Sequence, residues 1–285
     1  MRIIPFILIL LTLCCCGRPD NSERPVIAVS FPTQAGLLEE IAGEDFDIVT
    51  LLPAGSDPET FQPSLSTMKE LGKADALFTL GTQGFEASLT ENLHTNFPDL
   101  KIIDCTQGVG KISDSHLAAS GSHDPATEGF DPHIMASVRN SAIIAANITA
   151  LLSDLYPDKA TIFRNNSEDV LTRIRAIDDS IAAMGLEGKS FVIRHPSLSY
   201  FARDYGLTQI ALSDVSKETS PRQLQQRLET AASGKPEVFI IEKEHASPTD
   251  GETARMLGLP AIEVSLNSAD WLRDLKRIAD EIDRD

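Results

Sequence analysis

The sequence predicts an α/β protein of two lobes, each a mostly parallel sheet flanked by helices, joined by one long rigid helix. Three observations carry that prediction. Short apolar runs alternate with amphipathic segments throughout, as they do where parallel strands are connected by helices. The alternation occurs twice, once on either side of a single helical stripe over residues 158 to 184. With 285 residues and 42% hydrophobic content, the chain can bury a large core and exceeds the usual single-domain length.

Residues 1 to 16 come first, and they read as an export signal. MRII provides a short basic start, and PFILILLTLCCCG an apolar run too short to span a bilayer, which takes about 20 apolar residues. Leu13 to Gly17 looks like a bacterial lipobox, with Cys16 as the lipid acceptor. Residues 17 to 25, GRPDNSERP, are polar and proline-bounded, the composition of a tether. Beyond the signal only Cys105 remains, so no internal disulfide framework is expected; it follows the apolar run KIID and reads as a buried thiol.

The first lobe is expected over 26–156. Its strands are VIAVSF (26 to 31), FDIVTLL (46 to 52), ALFTL (76 to 80) and KIID (101 to 104), with helices in QAGLLEEIAG, SLSTMKELGKA and GFEASLTENLH. Residues 106 to 132 lack periodicity and form a long loop carrying His116 and His123. A helix is expected from His133 to about Leu155, where Pro157 interrupts and restarts the pattern. The linking helix, 157–185, carries Phe163, Val170, Ile174, Ile177, Ile181 and Met184 on one face. At ~1.5 Å per residue it would span roughly 40 Å. Gly185 and Gly188 end it. The second lobe, 186–285, repeats the plan with FVIR (191 to 194), LTQIAL (207 to 212), EVFIIE (237 to 242) and AIEV (261 to 264), and a last helix from about Ala269 to Ile282. Ser220-Pro221 starts the helix RQLQQRLETAA as cap and first turn.

A formal charge of -17 excludes a phosphate-binding surface of clustered lysine and arginine, and so nucleic acid; cations are the expected partners. Ligands of open parallel sheets bind beyond the C-terminal strand ends. Glu59 in GSDPETFQPS, His195 directly after FVIR, and Glu242 or Glu244 after EVFII fall there, while His133 in FDPHIM follows the long loop. Taken singly, a histidine at a strand end is more often a hydrogen-bonded structural residue than a ligand, and Glu59 reads also as a solvated turn carboxylate; their shared placement makes them candidate metal ligands. Such wide spacing means that the fold forms first and the metal binds second.

LLPAGSDPETFQPS, DPHIM, RHPSLSYFARDYGL and the long helix, in that order, resemble the substrate-binding proteins of bacterial ABC transporters for zinc and manganese, the ZnuA-like family, over nearly the whole mature chain. The resemblance implies that one divalent cation is held in a cleft between two lobes by Glu59, His133 and His195 and delivered to a membrane permease and its ATPase. It implies a lipid-anchored or periplasmic monomer that is not an enzyme. The family commonly has His at Glu59, and tryptophan and an acidic residue at Met135 and Ser137. Its frequent fourth ligand, an aspartate, falls near Ser265. Glu244 or water would then complete the shell, with His245, Glu242 and Asp270 as weaker candidates. Imidazoles favour Zn2+ and added carboxylates Mn2+, so zinc is the expected cargo and manganese the alternative. The rival readings are a secreted metal-dependent hydrolase and a metal-binding adhesin. The hydrolase is disfavoured because the chain has neither an H-E-x-x-H helix nor a G-x-S-x-G elbow.

Overall fold

Among the described residues, eight four-residue strands form two separate parallel sheets of identical plan. The computed structural model describes residues 24–81, 85–113, 130–213 and 219–284. Strands β1 (Val26–Val29), β2 (Asp47–Thr50), β3 (Ala76–Thr79) and β4 (Lys101–Asp104) pair in the order β2-β1-β3-β4. Strands β5 (Ser190–Ile193), β6 (Thr208–Ala211), β7 (Phe239–Glu242) and β8 (Ala261–Val264) pair in the order β6-β5-β7-β8. Helices α1 (Pro32–Ala42), α2 (Leu65–Leu71) and α3 (Phe85–Asn96) connect the first sheet; α6 (Ser199–Tyr205), α7 (Pro221–Ser233) and α8 (Asp250–Leu257) connect the second. Between the sheets run α4 (Val138–Leu155) and α5 (Ala160–Ala182), and α9 (Trp271–Ile282) closes the chain. Ser220 caps α7 as its Ser-Pro sequence predicts, its hydroxyl accepting from the Gln223 N–H.

Alternation along the strands decides what each face covers. Ile27 and Val29 on β1, and Phe191 and Ile193 on β5, face one continuous core that also takes in α1, α4, α5 and α9. Ala28 faces a smaller cluster with Leu51, Leu77 and Phe85, and Val192 another with Leu212, Phe239 and Ala254. The two sheets therefore share their inner core. Phe163, Val170, Ile174 and Ile181 of α5 are fully buried in it, and Ile177 and Met184 pack at its edge. At about 1.5–3 kcal/mol for each buried side chain, prising the sheets apart would sacrifice several times thermal energy. Polar clamps reinforce the C-terminal half of the helix. Arg173 makes a bidentate pair with Glu40 of α1, and Asp178 accepts from Arg139 of α4 and the Tyr205 hydroxyl of α6.

Most strands are shorter than or shifted from their apolar runs, and the starts of α5 and α4 differ from expectation for reasons the local sequence explains. The linking helix does not start at 158, because Pro157–Lys159 forms a 3-10 turn and α5 begins at Ala160. Its 23 residues span about 34 Å. Gly185 and Gly188, with φ of +68° and +82°, turn the chain into β5 as anticipated. His133 also lies outside a helix: the residues after it make a turn, and α4 starts at Val138. There the Ser137 hydroxyl caps the Asn140 N–H, a stronger start signal than the proline before His133. Ser113 and Phe130 form an antiparallel bridge across the base of the long loop, whose residues 114–129, with His116 and His123, lie outside the described residues. The signal, Cys16 and the tether up to residue 23 lie outside them too. No helix among the described residues is long and apolar enough to cross a membrane.

Candidate metal centre

Four loops converge where the two sheets face each other. After β2, Asp57 organises the first: its Oδ1 accepts the Glu59 N–H at 2.8 Å and its Oδ2 accepts the Thr60 hydroxyl at 3.0 Å. That local turn presents the Glu59 carboxylate. The loop also reaches the other lobe, where the Gly55 N–H donates to the Asn267 carbonyl. Before α4, the buried Asp131 accepts from both the backbone N–H and the Nδ1 of His133, at 2.9 and 2.8 Å. Asp131 is itself anchored across the cleft, its carbonyl accepting the hydroxyl of the fully buried Tyr200 on α6. After β5, Arg194 donates to Asp250 and the next residue, His195, turns inward with 4% of its surface exposed. Strands β5 and β7 are neighbours at the point where the sheet order reverses, the expected ligand crevice of such a sheet. There β7 ends in the buried Glu242, which accepts the Ser197 hydroxyl.

The structure brings Glu59, His133 and His195 together. His133 Nε2 lies 3.1 Å from His195 Nε2, and Glu59 Oε1 lies 3.6 Å from that same His195 atom. Two bonds of about 2.0–2.1 Å at a tetrahedral angle would set their donor atoms roughly 3.3–3.4 Å apart. The observed separations bracket that value. The His133 and His195 rings meet edge to face with centroids 5.0 Å apart. Among the described residues, no three such side chains are already spread around a common point as a finished shell.

The two histidines are driven in opposite directions by their surroundings. Burial opposes a charge on His133, but the Asp131 carboxylate and its hydrogen bond, helped by Glu242 and Glu59, raise its pKa overall. His195 is driven the other way, to about 2, by burial and then by the charges of His133 and His245. A proton on His133 Nε2 would donate to His195 Nε2 across the 3.1 Å gap. Around it, burial pushes Glu59 up to about 7 and Glu242 also to about 7, each partly offset by His133. Glu59 shows this shift although a third of its side chain is still solvent-accessible, the Asp57 charge adding a smaller push in the same direction. The cluster has more carboxylates than cations, and a divalent ion would correct the imbalance. Asp131 fixes the His133 proton on Nδ1 and leaves Nε2 for a ligand, the usual carboxylate–histidine arrangement of metal sites.

The remaining sequence candidates separate. Glu244 is buried in the 3-10 turn Lys243–His245; its Oε1 accepts the Ser265 hydroxyl and the Asn267 N–H, and its Oε2 has no partner. Ser265 thus supports Glu244 instead of facing the donors. Asp270 points away, 66% exposed and paired with Arg273. Met135 is buried, and Ser137 donates to Asp204. Sequence reasoning missed Asp57, Asp131 and Tyr200. The first two carry a local signal, an aspartate two residues before Glu59 and His133 able to accept their N–H groups. Tyr200 carries none.

Residues 27–274 match the family model ZnuA, described as zinc-uptake complex component A, periplasmic. The zinc-binding protein AdcA of Streptococcus pyogenes serotype M3 is 30% identical over 195 residues, covering 64% of this chain and 38% of the relative. The zinc-binding lipoprotein AdcA of Streptococcus pneumoniae serotype 4 is 28% identical over 229 residues, 75% of this chain and 45% of the relative. The chain thus spans less than half the length of these curated relatives. Among solved structures, the crystal structure of ZnuA superposes with a TM-score of 0.81 at 27% identity, covering 92% of this chain and 98% of the other.

Proposed function

Because the chain belongs to the ZnuA family of periplasmic zinc-uptake components, matched across residues 27–274, we propose that it captures a divalent cation between its lobes and passes it to the permease and ATPase of an ABC importer. The family is one of metal-binding transport components and not of enzymes, so the hydrolase reading falls away. The cargo is zinc in preference to manganese. Glu59, His133 and His195 hold it, with Glu59 and His133 supplied by the first lobe and His195 by the second. The observation that supports this most strongly is the 3.1 Å approach of the two Nε2 atoms with the Glu59 carboxylate 3.6 Å away. Two neutral imidazoles suit zinc better than a harder ion.

In this reading residues 26–156 and 186–285 are the two lobes and 157–185 the spacer that sets the cleft width. Cys16 carries the lipid, residues 17–25 tether the domain to the membrane, and the protein works as an exported monomer. Capture is an exchange: the cation binds deprotonated Glu59 and the unprotonated Nε2 atoms of His133 and His195, so binding competes with protons at these groups. Titration calorimetry of His133→Ala and His195→Ala with zinc provides the test. Each should bind roughly tenfold or more weakly than the parent, by analogy with the loss produced by removing even an outer hydrogen bond of a metal site. Unchanged isotherms in both variants would remove the assignment.

A further inference from the structure

Glu59, His133 and His195 leave a tetrahedral ion one donor short. The nearby carboxylates are largely engaged elsewhere. Asp57 uses both oxygens to shape its own loop, Glu242 accepts from Ser197, and Glu244 Oε1 holds Ser265 and Asn267. Glu244 Oε2 and His245 Nε2 are both buried without a hydrogen-bond partner, but it is the His245 ring that packs against one of the three donors. The His245 side chain is about nine-tenths buried. Its ring stacks on His195 with centroids 4.0 Å apart and planes 21° from parallel, and its Nδ1 lies 3.9 Å from Asp57 Oδ1 in the opposite lobe. A buried imidazole nitrogen with nothing to bind is costly unless a ligand satisfies it.

Resting on the cation-binding reading above, we propose that His245 is the fourth protein donor, binding the captured cation through Nε2 with Asp57 orienting its Nδ1–H. The shell is then one carboxylate and three imidazoles, drawn from four separate loops. Two rings on one tetrahedral ion stand roughly 5 Å apart between centroids, given metal–nitrogen bonds of about 2.0–2.1 Å. The His133–His195 pair already meets that spacing, so the movement on binding falls to His245, which slides about an ångström off the face of His195. The Asp57 loop follows, and the 3.9 Å gap to Nδ1 closes to a hydrogen bond. Three imidazoles also make the preference for zinc over manganese a property of this turn, because imidazole suits zinc and carboxylate suits manganese.

X-ray absorption at the zinc edge counts imidazole ligands in the loaded full chain, and titration with zinc and manganese salts measures selectivity. The expected result is three imidazoles in the parent and two in His245→Ala and His245→Gln. Zinc affinity should fall roughly tenfold or more in both variants, and manganese affinity much less. Far-UV circular dichroism of the metal-free variants should match the parent; if neither variant folds, the count of three in the parent against two in a His133→Ala, His245-intact protein carries the test. Two imidazoles in the parent, or an unchanged zinc affinity in His245→Gln beside a strongly weakened His133→Ala, would overturn the role of His245 and leave the cleft assignment standing. A drop in zinc affinity confined to Glu244→Gln would give the fourth position to that carboxylate instead. Zinc binding unaffected by His133→Ala would remove the site and the proposal together.

Discussion

Replacing Asp131 by asparagine removes a charge while keeping an oxygen where the His133 backbone N–H and Nδ1 need an acceptor. Asparagine has nearly the same size and shape, and because the site is 1% exposed the unfolding of the metal-free variant is measured beside the parent. The effect of the substitution should fall on the metal. Without the carboxylate, His133 is less firmly held in the tautomer that offers Nε2 and is a weaker donor, which costs about 10–100-fold in metal affinity at comparable sites. That corresponds to about 1.4–2.8 kcal/mol. The pH dependence adds a sign. Asp131 raises the pKa of His133, so in the parent protein a proton competes with the metal over a wider acid range. Removing the carboxylate weakens both the ligand and its proton. The parent's advantage over Asp131→Asn should therefore be greatest above neutral pH and should shrink on acidification. Competition titration against a zinc chelator at pH 8 and pH 6 reads both effects. Equal affinities at pH 8, or a gap that widens at pH 6, would refute this account of the Asp131–His133 pair.

Zinc affinity of the unmodified protein should fall as pH drops below about 7, because Glu59 titrates at about 7 in the metal-free site and His133 holds its proton above its ordinary range. His195, at about 2, should not contribute. Calorimetry in buffers of different ionisation enthalpy should detect proton release on binding at pH 6.5, and a pH-independent affinity from 5.5 to 7.5 would contradict it. Tyr200→Phe removes the hydroxyl that donates to the Asp131 carbonyl and accepts the Ile112 N–H, leaving buried groups unpaired. It should cost about 1–3 kcal/mol in denaturant unfolding and also weaken zinc binding; normal affinity would show that the His133 loop needs no support from the second lobe. Ile174→Ala, in the shared core at 1% exposure, should lose about 2–5 kcal/mol of stability. A single cooperative transition in both proteins would mark the lobes as one folding unit, and two transitions would contradict the continuous core.

The fold was largely legible in the sequence because local pattern and burial agree. KIID and AIEV were read with the residue limits of β4 and β8, and the stripe from Phe163 to Ile181 is the buried face of α5. The start of α4 was misplaced because a cap competes with a proline, and the Ser137 hydroxyl wins. The site was legible only as a set of loops. Glu59, His133 and His195 could be singled out by their strand-end or loop-end positions, but which of Glu242, Glu244 and His245 faces them depends on the 3-10 turn after β7, where adjacent residues point in different directions. The contact between Tyr200 and Asp131 joins residues 69 apart in the chain, a pairing that no local pattern encodes.

The central claim is that one cation is held by residues from both lobes. A crystal structure of the zinc-loaded protein, with anomalous scattering recorded on either side of the zinc edge, tests it most directly. The account predicts one strong peak bonded to Nε2 of His133, Nε2 of His195 and an oxygen of Glu59 at about 2.0–2.2 Å. A zinc ion held by one lobe alone, or lodged away from these three residues, would contradict it.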